Sequence, residues 1–397
     1  MRERDPVYFD PALDAWILTR YDDVNEALRS PDLSVDRNGE IGRGQLDVTS
    51  RLSELNAAIA RWMVFSDPPQ HTRLRSLVAK AFQPSAVNKL RDVITQTVDA
   101  LLDGATERGT LDAFGDLGVP LAERITGHML GLPGDSPAVK QWTENVFQFL
   151  GAASASDDVV LASADGIDTC RGFLGGLVKE RANAPTGDLI SQIVRDGGGE
   201  YTEEEIIGVV ITLIVGAYET TAYTITNGLS ALLNHPTQLL RLIGDPTLIV
   251  SAVEEIFRFD GPALSVQRRA RQDVSIRGTV IKERERIYCM LQGANHDPAA
   301  FPRPSVFDIA RSPCRHTGLG LGPHFCLGAW LTRLETQQAI LKTIQRFPDL
   351  RVAEGTTPEW TTNFAIRGLK KLVLSTSTKP GTSAVRLRVD PRPAGSP

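Results

Sequence analysis

The most apolar stretch of the chain is IIGVVITLIVGA, residues 206–217, and helical spacing continues from it without a break to His235-Pro236. Just before it, Thr202 and Glu205 stand three apart, the pairing in which each side chain caps the other's backbone amide at a helix start. Together they predict a helix of about 33 residues, a rod on the order of 50 Å at ~1.5 Å per residue, long enough to cross the molecule. The apolar run is shorter than the ~18–20 residues that span a bilayer, and Tyr218-Glu219 follow it, so it reads as the middle of a buried helix and not as a membrane span.

The same periodicities predict a strand at AWILT (15–19) and a helix over 22–30 that Pro31 stops. Further helices are predicted over 71–82, 87–105, 120–132, within 151–187, and over 246–259 and 328–347. Short strand patterns occupy 274–278, 279–283 and 286–291. Residues 36–60 are polar and irregular and read as a long loop, while GGGE (197–200) is a break. Residues 376–397, small, polar and rich in proline, read as a disordered tail. The expectation is a mainly α fold with minor β, a single domain over 1–375, with no internal repeat.

Composition narrows the picture only slightly. The chain has 397 residues, 42% hydrophobic and 23% charged, in the range of globular proteins. A net charge of -5 argues against nucleic acid as the main partner, because phosphate neutralisation requires a concentrated basic surface. MRERDPVYFD carries no apolar leader segment, and the four cysteines (170, 289, 314, 326) form no CxxC and no regular framework. A cytoplasmic protein with reduced thiols is expected.

The chemistry concentrates in GLGLGPHFCLG, residues 318–328. A buried small hydrophobe is the commonest fate of a free cysteine. Cys314-x-His316 and His324-x-Cys326 make a second reading, a zinc set, although ligand pairs two apart do not match structural zinc spacings. A third reading accounts for Gly318, Gly320, Gly322 and Gly328: a thiolate approaching a flat metal macrocycle needs bare backbone against the ring. Amides aimed at the sulfur, and a helix starting near Leu327, would then lower the thiol pKa.

Gly320-x-Gly322-x-His324-x-Cys326-Leu327-Gly328 resembles the haem-binding signature of cytochrome P450, F-G-x-G-x-H-x-C-x-G, with Leu319 at the aromatic position. Four other regions resemble the family in the same chain order. Gly216-Ala217-Tyr218-Glu219-Thr220 is similar to the A/G-G-x-D/E-T of its longest helix, with Ala217 in place of a glycine. Glu255-Ile-Phe-Arg258 resembles its E-x-x-R, and FPRPSVFDIAR (301–311) the segment that completes that network, with Val306 where relatives often have arginine and Arg311 as the alternative third partner. His71-x-x-x-Arg75 and Arg268-x-Ala270 resemble its haem-propionate contacts.

The resemblance implies the cytochrome P450 fold and haem b, with Cys326 as the iron ligand. It implies that His71, Arg75, Arg268 and His324 serve the propionates, that Gly216, Ala217, Leu319, Gly320 and Gly328 lie against the ring, and that Glu219 and Thr220 handle protons on its open face. The implied activity is O2-dependent hydroxylation of a small or medium-sized molecule, in natural-product tailoring. Oxidative coupling of aromatic or peptide groups is an alternative, and a non-catalytic haem-thiolate sensor a lesser one. Electrons are expected from NAD(P)H through an external ferredoxin reductase and ferredoxin, with Arg73, Lys80, Arg311, Arg315 and Arg333 as candidate docking charges.

Overall fold

The computed structural model describes residues 1–36, 46–133, 137–151 and 156–376. Its axis is the helix Glu203–Asn234, 32 residues long. Both halves of the capping box form: the Thr202 hydroxyl accepts from the Glu205 amide at 3.2 Å, and Glu205 accepts from the Thr202 amide at 2.9 Å. By length and composition this helix would pass for a membrane span, more than the apolar run by itself indicated, but 72% of its most apolar window is buried inside the protein. It is the core helix of the fold.

Helices wrap this rod: Val119–Leu130, Asp157–Asn183, Ile249–Asp260 and Ala329–Arg346 all pack against it. Crossings this close need small residues. A Cβ added at Gly118 would lie 2.8 Å from the Ala222 Cα, so glycine is what lets the chain before Val119 reach the rod. Cys170 and Cys289 are buried among apolar side chains, the ordinary fate of a free cysteine.

A five-stranded sheet stands to one side, in the order Val7–Asp10, Ala15–Leu18, Arg286–Met290, Ser265–Ala270, Leu33–Ser34. Ala15–Leu18 runs parallel to Arg286–Met290, and the other pairings are antiparallel. The strand Ser265–Ala270 has no apolar alternation, since SVQRRA is mostly polar, and the pattern did not predict it. Its burial comes from the strands on either side. Register places Arg268 opposite Ile287 and turns its side chain inward.

The loop expected over 36–60 is corrected in its second half. Leu46–Ile59 is a helix, with Leu52, Leu55 and Ile59 buried as a stripe three and four apart against the Asp157–Asn183 helix. Residues 37–45 lie outside the described residues. So do 377–397, where the polar tail was expected, while Thr376 is buried with its hydroxyl on the Ala105 carbonyl at 3.2 Å.

Candidate active site

Between the long helix and the cysteine loop lies a cavity of about 300 Å³. One wall is Thr212, Val215, Gly216 and Thr220; the other includes Gly320, Leu321 and His324. Trp62, Val64, Phe65, Phe147, Leu150 and Ile366 supply most of the apolar remainder. A Cβ at Gly216 or Gly328 would meet nothing within 4 Å, so both glycines face open space.

The remaining glycines of the cysteine loop do other work. Gly320 and Gly322 have φ of +69° and +70°, the left-handed region that favours glycine. A Cβ on Gly322 would also fall 2.7 Å from the Leu28 carbonyl oxygen, and one on Gly318 2.7 Å from that of Phe257. Gly318 and Gly322 thus serve the turn and its packing, Gly320 both bends the turn and lines the cavity, and a Cβ on Gly328 would meet nothing within 4 Å.

Cys326 is half-buried at the end of this turn. Its amide donates to the Leu319 carbonyl at 2.8 Å, and its sulfur accepts from the Gly328 amide. Burial pushes the thiol up; the Gly328 amide and the charges of Arg75 and Arg333 pull it down. Burial outweighs these without a bound metal, so the pKa expected to be lowered is instead raised, and the helix begins at Ala329, two residues later than expected. Leu319 is buried in the core cluster against which Cys326 packs.

Four basic groups converge beside the loop. The His71 and His324 rings lie 4.1 Å apart. Arg75 donates to the Pro323 and Phe325 carbonyls at 3.2 and 2.7 Å. Arg268, only 6% exposed, donates to the Gln267 carbonyl and makes no salt bridge among the described residues. Burial lowers the pKa of all four, and that of His324 falls to about 3, with His71, Arg268 and Arg75 adding repulsion. His71 is 3% exposed, and its buried Nδ1 has no hydrogen-bond partner. An orphaned ring nitrogen and two buried guanidinium groups crowded at one end of a slot are destabilising by themselves and fit a bound group carrying carboxylates.

The zinc alternative does not assemble. His316 Nε2 lies 3.1 Å from Glu254 and its ring stacks on Phe257, while the Cys314 sulfur rests against the Glu254 carbonyl. His324 faces His71 on another element.

On the opposite wall the Thr220 hydroxyl donates to the Gly216 carbonyl at 2.6 Å. Glu219 is not among the described residues lining the cavity; its carboxylate accepts from the Tyr223 hydroxyl at 3.0 Å. Ala217 packs against the core and is not among the described residues lining the cavity.

Glu255 and Arg258 form a bidentate ion pair at 2.7 and 2.8 Å with both side chains wholly buried. Arg311 completes it, its Nε 2.9 Å from Glu255. At Val306 the backbone takes part: its carbonyl accepts from Arg258 and Arg311, which is why an apolar side chain suffices there. This commitment removes Arg311 from the docking candidates. Arg333 is bound to Glu254 and Arg73 to Glu205, while Arg315 and Lys80 stay exposed.

Around the substrate side, Trp62, Val64, Phe65 and Ile366 line the cavity. Thr361 and Asn363 instead bond backbone, and Phe364 packs on Tyr288. Leu28, Val35 and Gln267 also line it, arriving from the sheet side, where no local signal in the sequence marks them.

A long buried helix facing a glycine-turned cysteine, with basic groups gathered at one end of the slot, fits the haem-thiolate class of protein. The family profile described as Cytochrome P450 matches residues 179–372. The cytochrome P450 monooxygenase PikC of Streptomyces venezuelae is 37% identical over 369 residues, 90% of this chain and 84% of PikC. The polyketide biosynthesis cytochrome P450 PksS of Bacillus subtilis is 31% identical, covering 95% of this chain and 94% of its own. The crystal structure of P450BioI in complex with an acyl carrier protein ligated to hexadec-9Z-enoic acid superposes with a TM-score of 0.87 at 32% identity, covering 94% and 96% of the two chains. The chain belongs to the cytochrome P450 family and is a P450 monooxygenase, an enzyme whose family uses a haem-thiolate cofactor.

Proposed function

We propose that this enzyme hydroxylates a small or medium-sized, largely apolar molecule in natural-product tailoring, as a soluble cytoplasmic protein. The observation that carries the reading is the cavity itself, with Thr220 on one wall, the cysteine loop on the other and apolar side chains around it. PksS, named for polyketide biosynthesis, supports the substrate class.

Cys326 is the residue to hold iron, and His71, Arg75, Arg268 and His324 the residues to hold the haem carboxylates. The bound haem, with its cysteinate, supplies O2 activation driven by electron density from sulfur. The protein's part is binding, orientation and proton supply. Trp62, Phe65, Phe147 and Val215 exclude water and seat the substrate's apolar surface. With its proton directed to the Gly216 carbonyl, Thr220 presents oxygen lone pairs to the cavity and accepts a hydrogen bond from a donor there. Burial raises the Glu219 pKa to about 7, so that it both releases and regains a proton near neutrality. Electrons come from NAD(P)H through a ferredoxin and its reductase.

The test is a substrate-induced spin-state screen with a surrogate redox pair, followed by product mass. A gain of one oxygen supports hydroxylation; a loss of two hydrogens points to oxidative coupling, and absence of turnover with every spin-shifting ligand to a sensor. Thr220→Ala should keep its haem while product formation falls roughly a hundredfold, the scale of a positioned proton-handling group, and peroxide rises. Unchanged product per NADPH would remove that role from Thr220. Arg268→Ala should weaken hemin binding by roughly ten- to a hundredfold, as loss of a charge-assisted hydrogen bond predicts, read by hemin titration of the cofactor-free protein. Equal affinity would detach Arg268 from the cofactor.

A further inference from the structure

Tyr223 follows Glu219 by one turn of the long helix, and nothing in the family motif calls for a phenol there. Its ring is fixed from three sides. Phe114 stacks on it at 5.0 Å and 15°, and Phe147 lies 6.4 Å away at 42°. On the third side a Cβ at Gly368 would fall 2.1 Å from the ring, so only the bare backbone of that glycine leaves room. A buried phenol held this way cannot swing to find another acceptor, and its hydroxyl is aimed at Glu219 Oε2.

Two other charged groups bear on the same carboxylate. Glu144 is half-buried on the helix Pro137–Gly151, and Lys370 is exposed on the strand Leu369–Lys371. The Glu219 carboxylate is therefore held by Tyr223 outside the described cavity lining, under the influence of the half-buried Glu144 and the exposed Lys370. Burial and Glu144 favour its protonated form, and the Tyr223 hydroxyl and Lys370 favour its ionised form.

We propose that Tyr223 is a positioning residue whose hydroxyl holds the Glu219 carboxylate on the Glu144–Lys370 side of the long helix, so that Glu219 takes its protons from there and not from the substrate cavity. This rests on the reading above, in which Glu219 supplies protons for turnover. The exchange moves one proton off a carboxyl oxygen and another on from the solvent side, and no other bond changes.

Tyr223→Phe keeps the ring and its stacking and removes only the hydroxyl. The first readout is the carboxyl infrared band of Glu219, assigned by its loss in Glu219→Gln and titrated without turnover. Losing a donor to the ionised form raises its pKa, so the midpoint should move up by about 1–2 pH units. The second is the pH profile of product formed per NADPH, which should move up with it, while the substrate-induced spin shift and the thermal midpoint stay at wild-type values. A Tyr223→Phe enzyme whose infrared midpoint or coupling profile matches wild type overturns the proposal. Glu219→Gln with undiminished coupling overturns instead the reading on which it rests, and the infrared midpoint then still decides whether the tyrosine holds the carboxylate.

Discussion

Cys326→Ala protein purifies without the absorption of thiolate-ligated haem, and its reduced, CO-treated form lacks the long-wavelength band of the family. The sulfur sits at the end of a turn built around it, with Leu319 accepting its amide and Gly328 donating to it. A methyl group fills part of that space and offers iron nothing. Serine tests the point more sharply, because it keeps the size and can accept from Gly328, yet its oxygen is a poor substitute for a soft, charge-donating thiolate. Cys326 packs only at the edge of the main core, and both replacements are no larger than cysteine, so both proteins remain folded by circular dichroism. Hemin still enters with reduced affinity, held by the basic cluster alone. Persistence of the thiolate-type band in either variant would move the ligand to another residue. Cys314 is the nearest in sequence, but its sulfur faces Glu254 and Glu255.

Glu255→Ala produces the largest loss of stability of any single substitution considered. The carboxylate and the Arg258 guanidinium are both 0% exposed. Removing the acid strands a buried cation, which costs about 3–5 kcal/mol, against a total stability on the order of 5–15 kcal/mol. Glu255 also accepts from the Asp308 amide at 3.0 Å and from Arg311, so two further donors lose their partner. Replacing both members of a buried pair by apolar residues is often harmless. Here it is not, because Arg258 also donates to the carbonyls of Asn295 and Pro304, and these would lose that donor with it, while Val306 would keep only Arg311. Double replacement should therefore remain destabilised. Arg311→Ala should cost less, since Arg311 is partly exposed and water can replace it. Denaturation midpoints check all three. A Glu255→Ala protein within about 1 kcal/mol of wild type would contradict this account, since that is the ordinary scale of a point substitution.

Legibility from the sequence followed the range of the interactions involved. The long helix, its capping box and its end before Pro236 are local features, and the structure reproduces them. So are the helix Tyr21–Arg29 ahead of Pro31 and the strand Ala15–Leu18. The helix Leu46–Ile59 was missed because its apolar stripe of Leu52, Leu55 and Ile59 is diluted by polar neighbours, and becomes a signal only when a second helix covers it. The strand carrying Arg268 was missed for a similar reason, its side chains being polar on a sheet whose neighbours do the burying.

The order of residues along the chain was enough to specify which groups carry chemistry: a cysteine in a glycine turn, an acid–alcohol pair late in an apolar rod, and basic residues spaced for a clamp. Their identities and short spacings are local, and local spacing is readable without coordinates. Which way each group faces was decided only in three dimensions. Glu219 turns to Tyr223, Arg311 to Glu255 and Arg333 to Glu254, and the cavity takes Leu28 and Val35 from the far end of the chain. Apart from the one-turn pair Glu219–Tyr223, orientation depends on partners 56 and 79 residues away and on walls from distant parts of the chain, brought near by the burial of apolar surface, and that is a property of the packed chain more than of any segment within it.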